Sequence, residues 1–196
     1  YLASAGVGKI TIVDYDRVSL SNLQRQVLYA EEDISRLKAE VAVERLRALN
    51  SEIELVAISK LFEPHTAENI VGGCDLVIDC TDNFRTRYLI NDACVRTDVP
   101  FIFGALYTYS GQMAVCNYQG SATYRCLFKE PPTDAVIPNC AEIGVFSPLV
   151  ALIGSLMASE ALKVLTGVES VQTGRLITYN LLTHQQQALA FKADLN

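Results

Sequence analysis

The sequence holds no close CxxC pair. Its six cysteines stand at 74, 80, 94, 116, 126 and 140, several of them inside apolar runs. That excludes a disulfide framework and reads as reduced, mostly buried thiols in a cytoplasmic protein. A basic excess is also lacking: 16 Lys and Arg stand against 22 Asp and Glu, a net charge of −6. A general nucleic-acid surface is excluded, although a few arginines can still be focused on one anion. No secretory signal is visible. The longest apolar tract, Val145 to Leu156, is broken by Ser147, Pro148, Gly154 and Ser155. It is expected to be a core helix, too short and too interrupted to span a bilayer. Internal repeats and low-complexity segments are absent. So is an opening methionine. Tyr1 to Gly8 reads as the last turn of a helix with a glycine C-cap, the expected tail of an element that begins upstream.

What is present is an ordinary globular composition, 50% apolar and 19% charged over 196 residues. A single domain of this length buries roughly 70% of its unfolded surface and needs neither disulfide nor metal to fold. Lys9 to Asp14 alternates and is β-branched, so a strand is predicted. Ser19 to Leu28 predicts a short helix capped by Ser21 or Asn22, with Arg25 near its middle. Asp33 to Leu49 predicts a longer helix, its apolar positions Leu37, Val41, Leu46 and Leu49 at helical spacing. Strands follow at 53–58, 75–79 and 100–105, with helices at 64–71 and 83–96 between them. This alternation predicts a parallel sheet with helices on both faces.

The pattern then changes. Gln112 to Tyr118 is a strand with no helix before it, so a hairpin is expected. Residues 119–144 form a long connection with Pro131, Pro132 and Pro138, of a length that is usually functional or mobile. The most apolar helix is predicted at 148–165, stopped by Gly167, and an antiparallel pair at 175–180 and 187–192 ends the chain.

One stretch organises the functional reading. Asp79-Cys80-Thr81-Asp82-Asn83 follows the apolar run Leu76-Val77-Ile78 and precedes a helix. In open parallel sheets, ligands bind beyond the carboxyl ends of strands. Asp82 is therefore placed to face a nucleotide or its metal, and Asn83 to cap the following helix. Asp14 also ends a strand, where dinucleotide folds bind ribose hydroxyls; a turn residue is the plainer reading. By pattern alone, Arg25 and Lys38 read as surface charge.

The run Ile12 to Gln26, with its Asn22-Leu23-Gln24-Arg25-Gln26 element, is joined by Lys38 and Asp79-Cys80-Thr81-Asp82-Asn83. Tyr124 to Phe128 and Pro138 to Val145 complete the set. In this order and spacing, these elements resemble the ThiF/MoeB/HesA family of adenylyltransferases, which activate ubiquitin-like sulfur carriers and are kin to ubiquitin-activating enzymes. The likeness covers nearly the whole chain, and the Ser19-to-Gln26 run sets it nearer the molybdopterin-synthase adenylyltransferases than the thiamine branch. It implies an α/β, Rossmann-like fold with a mostly parallel sheet, helices on both faces and an antiparallel C-terminal extension. It further implies that residues 1–196 are one adenylation domain whose glycine-rich loop lies before Tyr1.

The reaction so implied is ATP-dependent adenylation of a carrier's C-terminal carboxylate with release of pyrophosphate, in molybdenum cofactor or thiamine biosynthesis. By resemblance, Asp14 holds the ribose, while Ser21, Asn22, Arg25 and Lys38 lie at the phosphates. Arg25 and Lys38 neutralise charge there. Asp82 holds or orients the Mg²⁺ that bridges phosphate oxygens, and Asn83 sits beside the nucleotide. Arg25, Lys38 and Asp82 are the catalytic set. Cys140 is either a sulfur-transfer thiol, as in the thiamine branch, or a buried one. The implied partner is a carrier with a Gly-Gly tail, the implied assembly a homodimer, with no nucleic acid or membrane involved.

Two features depart from the family. Many relatives bind zinc through two CxxC pairs. Here Thr123 replaces the first cysteine, only Cys126 remains, and the chain ends without the second pair. His65 and His184 have no spacing partner, so no zinc is expected in this chain. The glycine-rich loop is the second absence. Two other readings compete with this one. A non-catalytic partner subunit suits the lost zinc ligands but not Arg25, Lys38 and Asp82. An NAD-dependent dehydrogenase suits the strand pattern and Asp14 but gives Arg25 and Lys38 no role.

Overall fold

The computed structural model describes residues 1–132 and 144–194. They pack as two compact units, Tyr1–Phe62 and Glu63–Asn196. In the first unit, β1 (Lys9–Val13) pairs in parallel with β2 (Glu54–Ile58), Lys9 opposite Glu54 and Val13 opposite Ile58. The crossover carries α1 (Leu20–Leu23), a 3₁₀ turn (Glu31–Asp33) and α2 (Lys38–Leu49). A parallel pair needs such a crossover, and the helix buries one apolar stripe on it. Here Ala39, Ala42 and Val43 form that stripe, and Val41, off to its side, is buried as well.

Two expected boundaries move. The helix predicted from Asp33 starts at Lys38, because Ser35 takes φ 73° in a turn over residues 34–36 and Leu37 is extended. There Val18 N–H bonds Arg36 O, Ser35 N–H bonds Val18 O and Lys38 N–H bonds Asp16 O, each at 2.9 Å. Residues 16–18 thus pair with 35–38 like a short antiparallel ladder. The helix expected over 19–28 is only one turn long. Its N-cap position is Ser19, without a side-chain cap bond, and Arg25 lies in the turn beyond it.

The second unit holds α3 (Pro64–Val71), β3 (Val77–Asp79), α4 (Phe84–Thr97), β4 (Phe101–Tyr107) and β5 (Ser110–Cys116). It continues with α5 (Tyr124–Leu127), α6 (Ser147–Thr166), β6 (Arg175–Asn180) and β7 (Gln185–Ala190). The sheet order is β3-β4-β5-β6-β7, parallel between β3 and β4 and antiparallel thereafter. The antiparallel part therefore begins at the expected hairpin and takes in both C-terminal strands. Helix α5 occupies part of the predicted long connection.

Alternation along β4 sorts its neighbours. Phe103 faces Tyr124, with ring centroids 4.9 Å apart. The next residue, Gly104, faces α6: a Cβ there would lie 2.3 Å from Met157 Sδ. Helices thus cover both faces of β4, and Phe101, Ile102, Phe103, Tyr124 and Leu149 are the largest buried side chains. Helix α6 is longer than the apolar tract suggests. Its 20 residues are long and apolar enough to cross a membrane by length and composition. One face, with Leu149, Ile153, Met157, Ala161 and Val164, is nevertheless buried. The fold as a whole is mixed α/β and Rossmann-like, with an antiparallel C-terminal extension.

Candidate functional site

The predicted residues fall into two groups, one in each unit. In the first unit, Asp14 follows β1 and its Oδ1 accepts the Asp16 N–H at 2.8 Å, an Asx turn that ends the strand. Lys38 opens α2 and is buried. Its Nζ lies 3.1 Å from Asp16 Oδ2, with side-chain exposures of 7% and 50%. The ladder between 16–18 and 35–38 sets this separation. Tyr29 adds a hydroxyl bond to Lys38 O at 3.3 Å. Burial, then the Asp14 and Asp33 charges, push that phenol up to about 12. Arg25 folds back so that Nη1 donates to Ser21 O at 3.2 Å. Ser21 Oγ stands 3.0 Å from Ser19 Oγ. Asp14, Asp16, Ser21, Asn22, Arg25 and Lys38 therefore belong to one unit.

A buried acid underlies this group. Asp33 is fully enclosed and accepts the Ala30 N–H at 3.0 Å, Arg36 at 2.9 Å and Arg45 at 2.9 Å. The Ala30 N–H first, then Arg45, hold its carboxyl below the usual range. It braces the loop that delivers Lys38. Beside Arg25, Gln26 Oε1 is buried with no hydrogen-bond partner among the described residues.

In the second unit, β3 ends at Asp79, also fully buried. Asp79 Oδ1 accepts the Thr81 N–H at 2.8 Å and its hydroxyl at 2.7 Å. Oδ2 accepts Arg87 Nε at 2.7 Å. Asp82 and Asn83 follow, both exposed. Asn83 caps α4 as anticipated, its Oδ1 accepting the Thr86 N–H at 2.8 Å. The turn thus presents one exposed carboxylate at the positive end of a fourteen-residue helix. A lone exposed acid suits a cation that phosphate oxygens also hold, and no cluster of three or more His, Cys, Asp or Glu able to hold a metal ion exists among the described residues.

Cys140 lies outside the described residues. At the other thiol of interest, burial raises the Cys126 pKa. The Asp194 N–H and the Thr123 hydroxyl and N–H outweigh that and leave it below the ordinary value. The hydroxyl of Thr123, the residue in place of the missing cysteine, sits 3.4 Å from this sulfur. Sequence reasoning passed over Asp16, Asp33 and Arg87. The last had a usable signal, an arginine one helical turn beyond a cap that follows a strand-end acid.

The fold is of the Rossmann-like class, with Asp79 at the end of β3 and Asp14 just after β1. The ThiF family model matches residues 1–195, and the chain belongs to that family. A sulfur carrier protein adenylyltransferase of Thermus thermophilus is 47% identical over 187 residues, covering 93% of this chain and 69% of that protein. The adenylyltransferase and sulfurtransferase MOCS3 of Sus scrofa is 41% identical, covering 93% of this chain and 40% of its own length. The probable adenylyltransferase/sulfurtransferase MoeZ of Mycobacterium tuberculosis is 39% identical over 99% of this chain and 50% of its own. The chain thus spans about 40–69% of these relatives. Among solved structures, E. coli MccB with ATP superposes with a TM-score of 0.83 at 22% identity, covering 99% of this chain and 59% of that one.

Proposed function

We propose that this chain is the adenylating part of an enzyme that activates the C-terminal carboxylate of a ubiquitin-like sulfur carrier. The carboxylate oxygen attacks the α-phosphorus of ATP. The bond from that phosphorus to the β-phosphate bridging oxygen breaks, pyrophosphate leaves, and a carrier acyl-adenylate remains. Such a step calls for in-line positioning and for cations where negative charge grows. Lys38 and Arg25 supply those cations, Asp14 the ribose contact, and Ser21 and Asn22 polar groups at the phosphates. Asp82 holds or orients the Mg²⁺ that enters with ATP, with Asn83 beside the nucleotide.

The observation that carries this reading is Lys38. A nearly enclosed ammonium is costly to keep unless it serves a charge, and its neighbour Asp16 is half exposed. The relatives' printed names, sulfur carrier protein adenylyltransferase and adenylyltransferase/sulfurtransferase, support the same chemistry. The carrier is then of the molybdopterin or thiamine type, with a thin Gly-Gly tail. A cytoplasmic homodimer fits the five described cysteines, all free. It also fits α6, which exposes the small residues Ala151, Gly154 and Ser159. Carrier-dependent ATP–pyrophosphate exchange by the full-length protein tests the proposal. Asp82→Ala and Arg25→Ala should abolish exchange in folded protein; exchange at the wild-type rate in both would refute the assigned roles.

A further inference from the structure

Arg87 is buried, and so is its partner Asp79, with side-chain exposures of 5% and 0%. An ion pair this enclosed is often no more stabilising than a well-packed apolar pair, so stability alone is a poor reason for it. Its bonds point elsewhere. Nε binds Asp79 Oδ2, while Nη2 donates to Thr81 O and to Gly104 O, the latter at 2.9 Å. Asp79 in turn holds the N–H and hydroxyl of Thr81. Residue 81 is therefore fixed at every polar group it has. Two residues on, Asn83 is fixed by its bond from the Thr86 N–H. Asp82 lies between these two anchored residues and is exposed. The guanidinium carbon sits 5.6 Å from the Phe103 ring centroid and 6.0 Å from that of Tyr124, which limits how the fork can rotate.

We infer that Arg87 is a positioning residue for Asp82: it holds the Thr81–Asn83 turn in one shape so that the Asp82 carboxylate meets Mg²⁺-bound triphosphate without reorganising. This rests on the adenylation reading above. The fork explains the choice of arginine. Its planar donors reach an acid and two carbonyls in one geometry, whereas a lysine ammonium is a point charge on a flexible stem. A carboxylate that must be found ready at one place gains from anchors on both sides of it.

The test uses the full-length protein and two variants, Arg87→Lys and the neutral pair Asp79→Asn with Arg87→Gln. Each is checked for a cooperative melt first. Amide hydrogen exchange without nucleotide reads the turn itself. The segment 79–86 should exchange at least tenfold faster in Arg87→Lys, with α4 beyond Asn91 and β4 unchanged. The KM for MgATP should rise at least fivefold in both variants, and a fluorescent ATP analogue should bind correspondingly more weakly. Wild-type exchange in 79–86 together with an unchanged KM in either folded variant would overturn the positioning role while leaving adenylation intact. Wild-type protein that fails to bind the analogue would instead bring down the adenylation reading, and this role with it.

Discussion

Arg87 Nε and Asp79 Oδ2 lie 2.7 Å apart across the start of α4, and both side chains are shut away from solvent. Removing one partner strands the other charge. Arg87→Met should therefore destabilise the protein by about 3–5 kcal/mol. Pairing it with Asp79→Asn removes the stranded charge yet leaves an oxygen for the Thr81 N–H. The double variant should recover at least half of the loss in urea unfolding. A double variant as unstable as Arg87→Met alone would show that lost packing, rather than the stranded charge, sets the cost.

Lys38 should behave in the opposite way. Its partner Asp16 is half exposed, so water can take up the carboxylate when the ammonium goes. Lys38→Met should cost about 1 kcal/mol or less in unfolding free energy. Activity should fall far more, by about 10²–10³-fold, the loss typical when one preorganised group facing developing charge is removed. Steady-state exchange kinetics and a urea titration on the same preparation check the split. A variant that is strongly destabilised but active once corrected for folded fraction would assign Lys38 a structural role.

Gly111 tests the packing of α6 on the sheet. A Cβ there would meet Ile153 Cγ1 at 2.4 Å. Isoleucine is stiff at χ1 and buried at this site, so it yields poorly. Gly111→Ala should cost about 1–3 kcal/mol by overpacking. The same change in an Ile153→Ala background should cost clearly less, since the pair is in contact and the effects are not additive. Equal penalties in both backgrounds would place the strain elsewhere.

The acid limb of stability follows from two carboxylates held below their ordinary range. For Asp33 the Ala30 N–H is the largest cause, followed by Arg45; for Asp92 it is the Arg125 fork, with bonds of 2.7 and 2.8 Å. A depressed folded-state value means that the unfolded chain binds the proton first, near pH 3.9 for an aspartate. The stabilisation is thus complete above that pH and is lost as pH falls through the lower folded value. The urea midpoint should stay flat from about pH 7 to 5 and drop below about pH 4. Asp33→Asn should be less stable than wild type at neutral pH, and the gap should narrow on acidification. A gap that widens in acid would contradict the cause assigned.

Much of the fold was legible because its signals are local. Pro64 starts α3 as a proline at the first helical position does, and alternating β-branched residues mark β1. Where boundaries moved, tertiary pairing decided. Helical spacing from Asp33 onward was overridden by the ladder between 16–18 and 35–38, which holds Ser35 at positive φ. The site was partly legible. Asp82 and Asn83 stood out by their place after a strand, and the family likeness singled out Arg25 and Lys38. Arg87 did not, because Arg85, Arg87 and Arg96 look alike on a helix until the structure shows that Arg87 alone of the three is buried. Asp16 and Asp33 were hidden because a partner of each comes from far along the chain, Lys38 22 residues from Asp16 and Arg45 12 residues from Asp33.

The most direct measurement is the intact mass of a purified sulfur carrier after incubation with the full-length protein, ATP and Mg²⁺, with pyrophosphate assayed in parallel. A carrier bearing one added AMP on its C-terminal carboxylate, with pyrophosphate released in equal amount and no adduct from Lys38→Met or Asp82→Ala, is the result this account predicts. An unmodified carrier across molybdopterin- and thiamine-type candidates, from wild-type protein shown to be folded, would contradict it.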